Sequence, residues 1–269
     1  MIALSDLLLA GFFSLLIGII SAILGLGGGF LLVPMYTLVF SLDPALAIGT
    51  SITTTIFTAG SATVYHARER SIQYPLVKVL ILGSIPAAFI GSYLTVFLSG
   101  EVLNGIFGLF LLVIALQMAG FIPDKAAPSC RLSELKNYDH PEDPIWSNPN
   151  GRRYFLFWGS LGGLISGLTG ISAGTVFIPA LFRWGIRLKN AVPISLATII
   201  FTSVGAALAS LLLGHISYPF LLFSAGGVTL GALIGVRISR GLDQALVRYG
   251  FSLTLMAIAV LMLKKAVLF

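Results

Sequence analysis

Charge is scarce in this chain. Asp, Glu, Lys and Arg make up 10% of its 269 residues and hydrophobic residues 57%, where soluble domains carry about 25% charged residues. That shortage excludes a soluble globular domain and implies an all-α polytopic membrane protein with the lipid bilayer as its solvent. Acid is missing from the interior of every apolar run, since Asp6, Asp43, Glu69, Glu101 and Asp243 all sit at run ends. Carboxylate proton relays and cation sites built on acids are thereby disfavoured. Cysteine is missing but for Cys130, in a polar stretch, so neither an intrachain disulfide nor a cysteine metal cluster is available. HExxH, Ser-His-Asp and paired-acid spacings are absent, and His66 and His215 lie at run ends. No enzyme, metal or cofactor is expected. The N-terminus has no Lys or Arg before its first apolar run and no small-residue cleavage site, so a removable signal peptide is not expected. The net charge of +6 does not point to nucleic acid, because the basic residues mark the ends of apolar runs, where they orient a membrane protein.

Glycine, by contrast, is abundant and patterned. Ser21–Pro34 reads Ser-Ala-Ile-Leu-Gly-Leu-Gly-Gly-Gly-Phe-Leu-Leu-Val-Pro inside an apolar run. Gly25, Gly27, Gly28 and Gly29 each cost roughly 1 kcal/mol against Ala in a helix, so the spacing predicts a break there. Lipid cannot satisfy the backbone groups a break releases, so they must face protein or a water-filled cavity. The pattern recurs: Ser21, Gly25, Gly29 and Pro34 reappear at one constant offset as Ser166, Gly170, Gly174 and Pro179. With the offset shortened by one residue, Ala47, Ser51, Thr54 and Ile56-Phe57-Thr58 match Ala191, Ser195, Thr198 and Ile200-Phe201-Thr202. Ile72, Tyr74, Pro75 and Gly83 likewise match Ile216, Tyr218, Pro219 and Gly227. The chain is a duplication.

The expected elements fall in two sets of five: about 5–27, 29–41, 45–66, 75–98 and 101–121, then about 154–173, 175–185, 190–213, 218–240 and 244–264. The second of each set is short for a spanning helix, and sequence leaves open whether it crosses or re-enters. Inverting the halves gathers the basic residues on one face and leaves only Lys264 and Lys265 of the 16 off it, whereas a parallel arrangement divides them. The positive-inside rule then makes that face cytoplasmic. The expected organisation is a first membrane repeat over 1–121, a polar cytoplasmic linker over 122–153 and a second, inverted repeat over 154–269. Both termini lie outside, and the broken glycine helices meet near the midplane. The linker, rich in proline and charge, has no core of its own.

Two breaks in corresponding places of two inverted halves point to a binding site. Free N–H groups where a helix restarts suit an anion, and neutral hydroxyls add donors. The candidate substrate-binding residues are Ser21, Gly25, Gly27, Gly28, Gly29, Thr50, Ser51 and Thr54 in the first half. In the second they are Ser166, Thr169, Gly170, Ser172, Ala173, Gly174, Ser195 and Thr198. Two plainer readings stand beside this one. The glycines could serve only close helix packing, and the Ser/Thr stripe Ser51, Thr54, Thr58 with its copy Ser195, Thr198, Thr202 could bond only its own helix carbonyls.

Gly25-x-Gly27-Gly28-Gly29 with Pro34, Ala47-x-Gly49-Thr50-Ser51 and the weaker second copy resemble the sulfite exporter TauE/SafE family over nearly the whole chain except the linker. The resemblance implies a permease of the bacterial inner (plasma) membrane for sulfite, organosulfonates or related small acids, with a small anion as its partner. The second copy departs from the pattern, with Ser172 and Ala173 for Gly27 and Gly28, and Pro193-Ile194 for Gly49-Thr50. The ligand set is thus asymmetric. The expected function is export of a small oxyanion by alternating access at a midplane site. An anion channel and a membrane scaffold without transport are the rivals, and the oligomeric state is left open.

Overall fold

The computed structural model describes residues 4–69, 72–119, 149–184, 186, 188–238 and 256–265. Among these residues the ordered elements are helices. They are α1 (Leu4–Leu24), α2 (Gly29–Pro34) continued by a π-turn (Met35–Val39), α3 (Pro44–Arg68), and α4 (Tyr74–Leu94) with a 3-10 turn (Thr95–Phe97). After them come α5 (Gly100–Ala119), α6 (Pro149–Thr169), α7 (Gly174–Arg183), α8 (Leu188–Leu212) and α9 (Tyr218–Ile238). Residues 256–265 are also helical. Most of the linker expected over 122–153, with Cys130, and the first part of the element expected over 244–264 lie outside the described residues. At the linker's end, α6 begins at Pro149, five residues earlier than the apolar run alone suggests.

Leu4–Ile23, Tyr74–Phe97, Asn190–Leu212 and Tyr218–Ile238 are each long and apolar enough to cross a membrane, so this is a multi-pass membrane protein. The four are not equivalent. The Asn190–Leu212 span is 72% buried within the protein, the other three 33–44%. α8 is therefore an inner helix, while α1, α4 and α9 turn side chains such as Leu8, Phe12, Leu82, Leu222 and Leu230 outward to lipid. α3 has the length to span, but its serines and threonines lower its hydropathy. It is kept inside, with Thr50, Ser51, Thr54 and Thr58 fully buried. Its start is fixed by Pro44 in the first turn and by Asp43, whose carboxylate caps the Ala45 amide at 2.9 Å.

Small residues set the pairing, because lipid gives helices no hydrophobic reason to associate and close approach must supply the attraction. A Cβ on Gly227, Gly231 or Gly235 of α9 would collide with the carbonyl oxygen of Gly11, Leu15 or Ile19 of α1. A Cβ on Gly159, Gly163 or Gly167 of α6 would meet that of Leu80, Ser84 or Ala88 of α4. In both pairs the numbers rise together, so the helices run parallel. α4 also runs parallel to α8, held by Ser84–Thr202 at 2.7 Å and Ser92–Ser210 at 2.8 Å. α3 runs against α8, since a Cβ on Gly49 would strike the His215 carbonyl just past the end of α8.

The short elements double back. Val39–Leu42, after α2, share a cavity with Asp6 and Leu9 at the start of α1. In the second half the Tyr154 hydroxyl, near the start of α6, donates to the Ala180 carbonyl of α7 at 3.1 Å, and its ring lies 4.8 Å from that of Trp184. Each short helix thus returns to the face its predecessor left and does not cross. Two apolar cores result, one with Leu26, Ile171, Phe30 and Phe107, the other with Ala22, Ala173, Phe177 and Leu80. The boundary between them passes through the two breaks.

Candidate functional site

α1 ends where the amides of Gly25 and Leu26 both donate to the Ser21 carbonyl, at 2.9 and 3.3 Å. Gly25, Gly27 and Gly28 then take φ of 69°, 82° and 86°, the left-handed region that costs an L residue roughly 1–2 kcal/mol. α2 restarts with the Leu31 and Leu32 amides on the Gly28 carbonyl. The second break is closed by the Gly170 amide on the Ser166 carbonyl at 2.9 Å and by the Ile171 amide on Thr169 Oγ1 at 3.2 Å. There only Gly170, at φ 75°, is left-handed, which is why Ser172 and Ala173 are tolerated where the first copy needs Gly27 and Gly28. α7 restarts with Val176 and Phe177 on the Ala173 carbonyl.

The breaks lie against each other and run antiparallel. A Cβ on Gly29 would strike the Gly170 carbonyl, and one on Gly27 would strike Ser172 Oγ. One on Gly174 would stand 3.1 Å from the Gly25 carbonyl. Gly25 therefore faces Gly174, Gly27 faces Ser172 and Gly29 faces Gly170. Ser51, from α3, reaches this crossing and shares its proton between the carbonyls of Gly29 at 3.4 Å and Gly170 at 3.3 Å. Ser195, its copy on α8, places Oγ 3.1 Å from the Cβ position of Gly174.

The crossing is rich in donors that have no acceptor. Among the described residues, the amides of Gly27, Gly28 and Gly29 and of Ser172, Ala173 and Gly174 make no turn or capping bond. The hydroxyls of Ser21, Ser166, Ser172 and Ser195 are buried and unpartnered. Each such group costs about 1–3 kcal/mol if it stays unsatisfied, and all of them can donate. The described acids Asp6, Asp43, Glu69 and Glu101 stand at helix ends or in loops, away from the crossing.

The threonines divide from the serines. Thr54, Thr58, Thr198 and Thr202 donate to the carbonyls of Thr50, Thr54, Ile194 and Thr198 one turn back, at 2.8–3.5 Å. Thr169 does so to Ile165 at 2.7 Å. Thr50 donates to Leu46 and accepts from the Ser217 amide at 2.9 Å, tying α3 to the α8–α9 connection rather than to the crossing. Their protons are committed within the fold, as the plainer reading of such stripes has it. Sequence reasoning passed over Tyr36, whose hydroxyl lies 3.4 Å from Thr54 Oγ1. A lone phenol in a short apolar element was the available signal.

A family model described as Sulfite exporter TauE/SafE matches residues 9–262. A protein of Methanocaldococcus jannaschii, named as a probable membrane transporter protein, is 26% identical over 272 residues, covering 96% of this chain and 94% of its own. Two Bacillus subtilis proteins bear the same description. YunE is 25% identical, with 84% of this chain and 86% of its own covered, and YdhB is 28% identical, with 89% and 93% covered. No solved structure matches.

Proposed function

Since the chain belongs to the sulfite exporter TauE/SafE family and is a membrane transporter, not an enzyme, we propose that it exports a small oxyanion, sulfite or an organosulfonate, by alternating access at the glycine crossing. One observation carries this. Unpaired amides of Gly27–Gly29 and Ser172–Gly174 and the free hydroxyls of Ser21, Ser166, Ser172 and Ser195 gather at a single buried place. A ligand made of acceptors satisfies such a set, and bonds to an ionised acceptor are roughly twice as strong as neutral ones. α2 is too short to lend much of a macrodipole, so the binding energy comes from these bonds.

Alternating access is supported by an inverted repeat. α1 and α6, α3 and α8, and α4 and α9 are the repeat equivalents. α9 parallels α1, α4 parallels both α6 and α8, and α3 opposes α8. With short connections between α3 and α4 and between α8 and α9, each equivalent pair runs in opposite directions. The repeats are 1–121 and 154–269, and the crossing lies near the midplane. Arg68, Lys78, Arg152, Arg153, Arg183 and Arg237 stand at helix ends on one face. We place that face and the 122–153 linker in the cytoplasm and both termini outside the inner membrane. Lys265, discordant in the charge pattern, has its own task on the outer face, where it caps the Thr37 carbonyl at 2.7 Å.

The functional test is uptake by liposomes holding the purified protein, with sulfite, sulfoacetate, taurine, sulfate and acetate in competition. Saturable flux inhibited by the sulfur oxyanions is expected. Ser195→Ala should weaken half-saturation by about 0.5–1.5 kcal/mol, the net worth of one hydrogen bond. Linear, non-saturating flux would favour the channel, and no flux the scaffold. Topology has a separate probe in Cys130: an impermeant thiol reagent should label it in inside-out vesicles and not on intact cells. Labelling of intact cells would overturn the orientation.

A further inference from the structure

The cavity of about 500 Å³ on the Asp6 side plays no part in the reading above. Asp6, Ser41 and Ser217 give it polar walls, while Phe40 and Phe220 close it inward. Phe220 is 3% exposed, with its ring centroid 5.0 Å from that of Phe40 and 5.9 Å from that of Tyr36. Tyr36 is fully buried and touches Thr54. Thr54 lies one turn beyond Ser51, which bonds both breaks. Cavity and ring trio therefore adjoin, and the trio's inner end meets α3 one turn from the residue that reaches the glycine crossing.

Two of the three rings sit on or beside a π-turn, and the third is at the start of α9. Tyr36 belongs to the Met35–Val39 π-turn and Phe40 directly follows it, and such turns are frequent at functional sites. The turn is pinned from outside by Lys265 on the Thr37 carbonyl, while the Thr37 hydroxyl donates back to the Val33 carbonyl at 2.9 Å with Met262 Sδ beside it at 3.5 Å. Among the described residues the second half has no such device. α7 is plain α-helix over Gly174–Arg183, and the repeat equivalents of Tyr36 and Phe220 are Leu181 and Leu76.

The geometry points to Tyr36, Phe40 and Phe220 as the gate of the transport path on this face, with the cavity as the vestibule beyond it and Lys265 as the latch on the arm that moves. This rests on the reading that the crossing holds the anion. The gate is shut in this structure, and it opens when the π-turn swings Tyr36 and Phe40 off Phe220.

Thiol accessibility tests it. In a Cys130→Ser background, Thr54→Cys reports from behind the gate, and Thr198→Cys from the other half. The probe is a negatively charged thiosulfonate, applied to the purified full-length protein. Phe220→Ala should raise the modification rate at Thr54→Cys at least tenfold, and Lys265→Met severalfold, with Thr198→Cys unchanged. Equal rates with and without Phe220→Ala, or an equal rise at Thr198→Cys, would overturn the gate. If Phe220→Ala does not elute as a monodisperse protein, Phe220→Leu and Lys265→Met are judged by the same criterion. Modification needs no substrate, so a protein that opens at Thr54→Cys on cue yet moves no sulfite counts against the transport reading alone.

Discussion

Gly29→Ala abolishes anion uptake beyond rescue, whereas Gly27→Ala loses most of it and Ser172→Gly brings much of it back. This pair of results is expected because the two glycines are confined by different things. A Cβ on Gly29 meets the Gly170 carbonyl and stands 2.9 Å from the Ser172 amide. Both are backbone, held between α6 and α7, so the two breaks must separate. Overpacking a filled interior costs typically 1–3 kcal/mol and sometimes more, and here it also scatters the donors of the proposed site. A Cβ on Gly27 meets a side chain instead, striking Ser172 Oγ and lying 2.7 Å from Ser172 Cβ. Ser172→Gly removes both atoms. What remains is the left-handed φ of 82°, worth roughly 1–2 kcal/mol, Ile199 Cδ1 at 3.3 Å from the new Cβ, and the loss of the Ser172 hydroxyl from the proposed donor set, so rescue is partial. Uptake in liposomes, read beside monodisperse elution for each variant, decides. Wild-type uptake by Gly29→Ala would sink the crossing as the site, and a double variant no better than Gly27→Ala would show that the Gly27–Ser172 contact is not what limits it.

The first break was legible, because Gly25, Gly27, Gly28 and Gly29 crowd into five residues and each costs roughly 1 kcal/mol in a helix. What the sequence could not show was how the two breaks meet. Inversion read from the basic residues implies that the breaks approach from opposite sides, but nothing in the sequence sets the register in which Gly25 meets Gly174 and Gly29 meets Gly170. Nor could it tell Ser51 from Thr54, which share a helix face. The difference lies in the backbone each reaches, with Ser51 facing carbonyls of both breaks and Thr54 turning back to Thr50. Threonine favours this bond to the preceding turn because branching limits its rotamers. The re-entrant course of α2 and α7 was equally hidden, since a short apolar helix has one composition whether it crosses or returns. Only contacts between its end and the start of the preceding helix, such as Tyr154 with Ala180, decide.

The largest effect of a condition, as distinct from a mutation, is expected from membrane potential. Among the described residues the crossing offers donors and no carboxylate, the group on which a proton or cation site is most often built. On the proposed reading, an oxyanion bound there travels with its charge uncompensated. Moving one elementary charge across the membrane is worth about 2.3 kcal/mol per 100 mV, which at about 1.4 kcal/mol per factor of ten is close to fiftyfold. A cell interior that is negative thus drives a monovalent anion outward, and a divalent one with the square of that factor. Basic side chains at the proposed cytoplasmic face, among them Arg68, Arg152, Arg153 and Arg237, concentrate anions at the mouth from which export starts. Export driven by the potential alone, with no bound proton or Na⁺, is the expected result. Liposomes loaded with sulfite at fixed pH and without Na⁺, with K⁺ and valinomycin setting an interior-negative potential, should release it faster as the potential grows. Reversing the potential should drive accumulation instead. Flux that ignores the potential and follows an imposed proton or Na⁺ gradient would mean that a cation is carried with the anion, and the electrogenic mechanism would have to be given up.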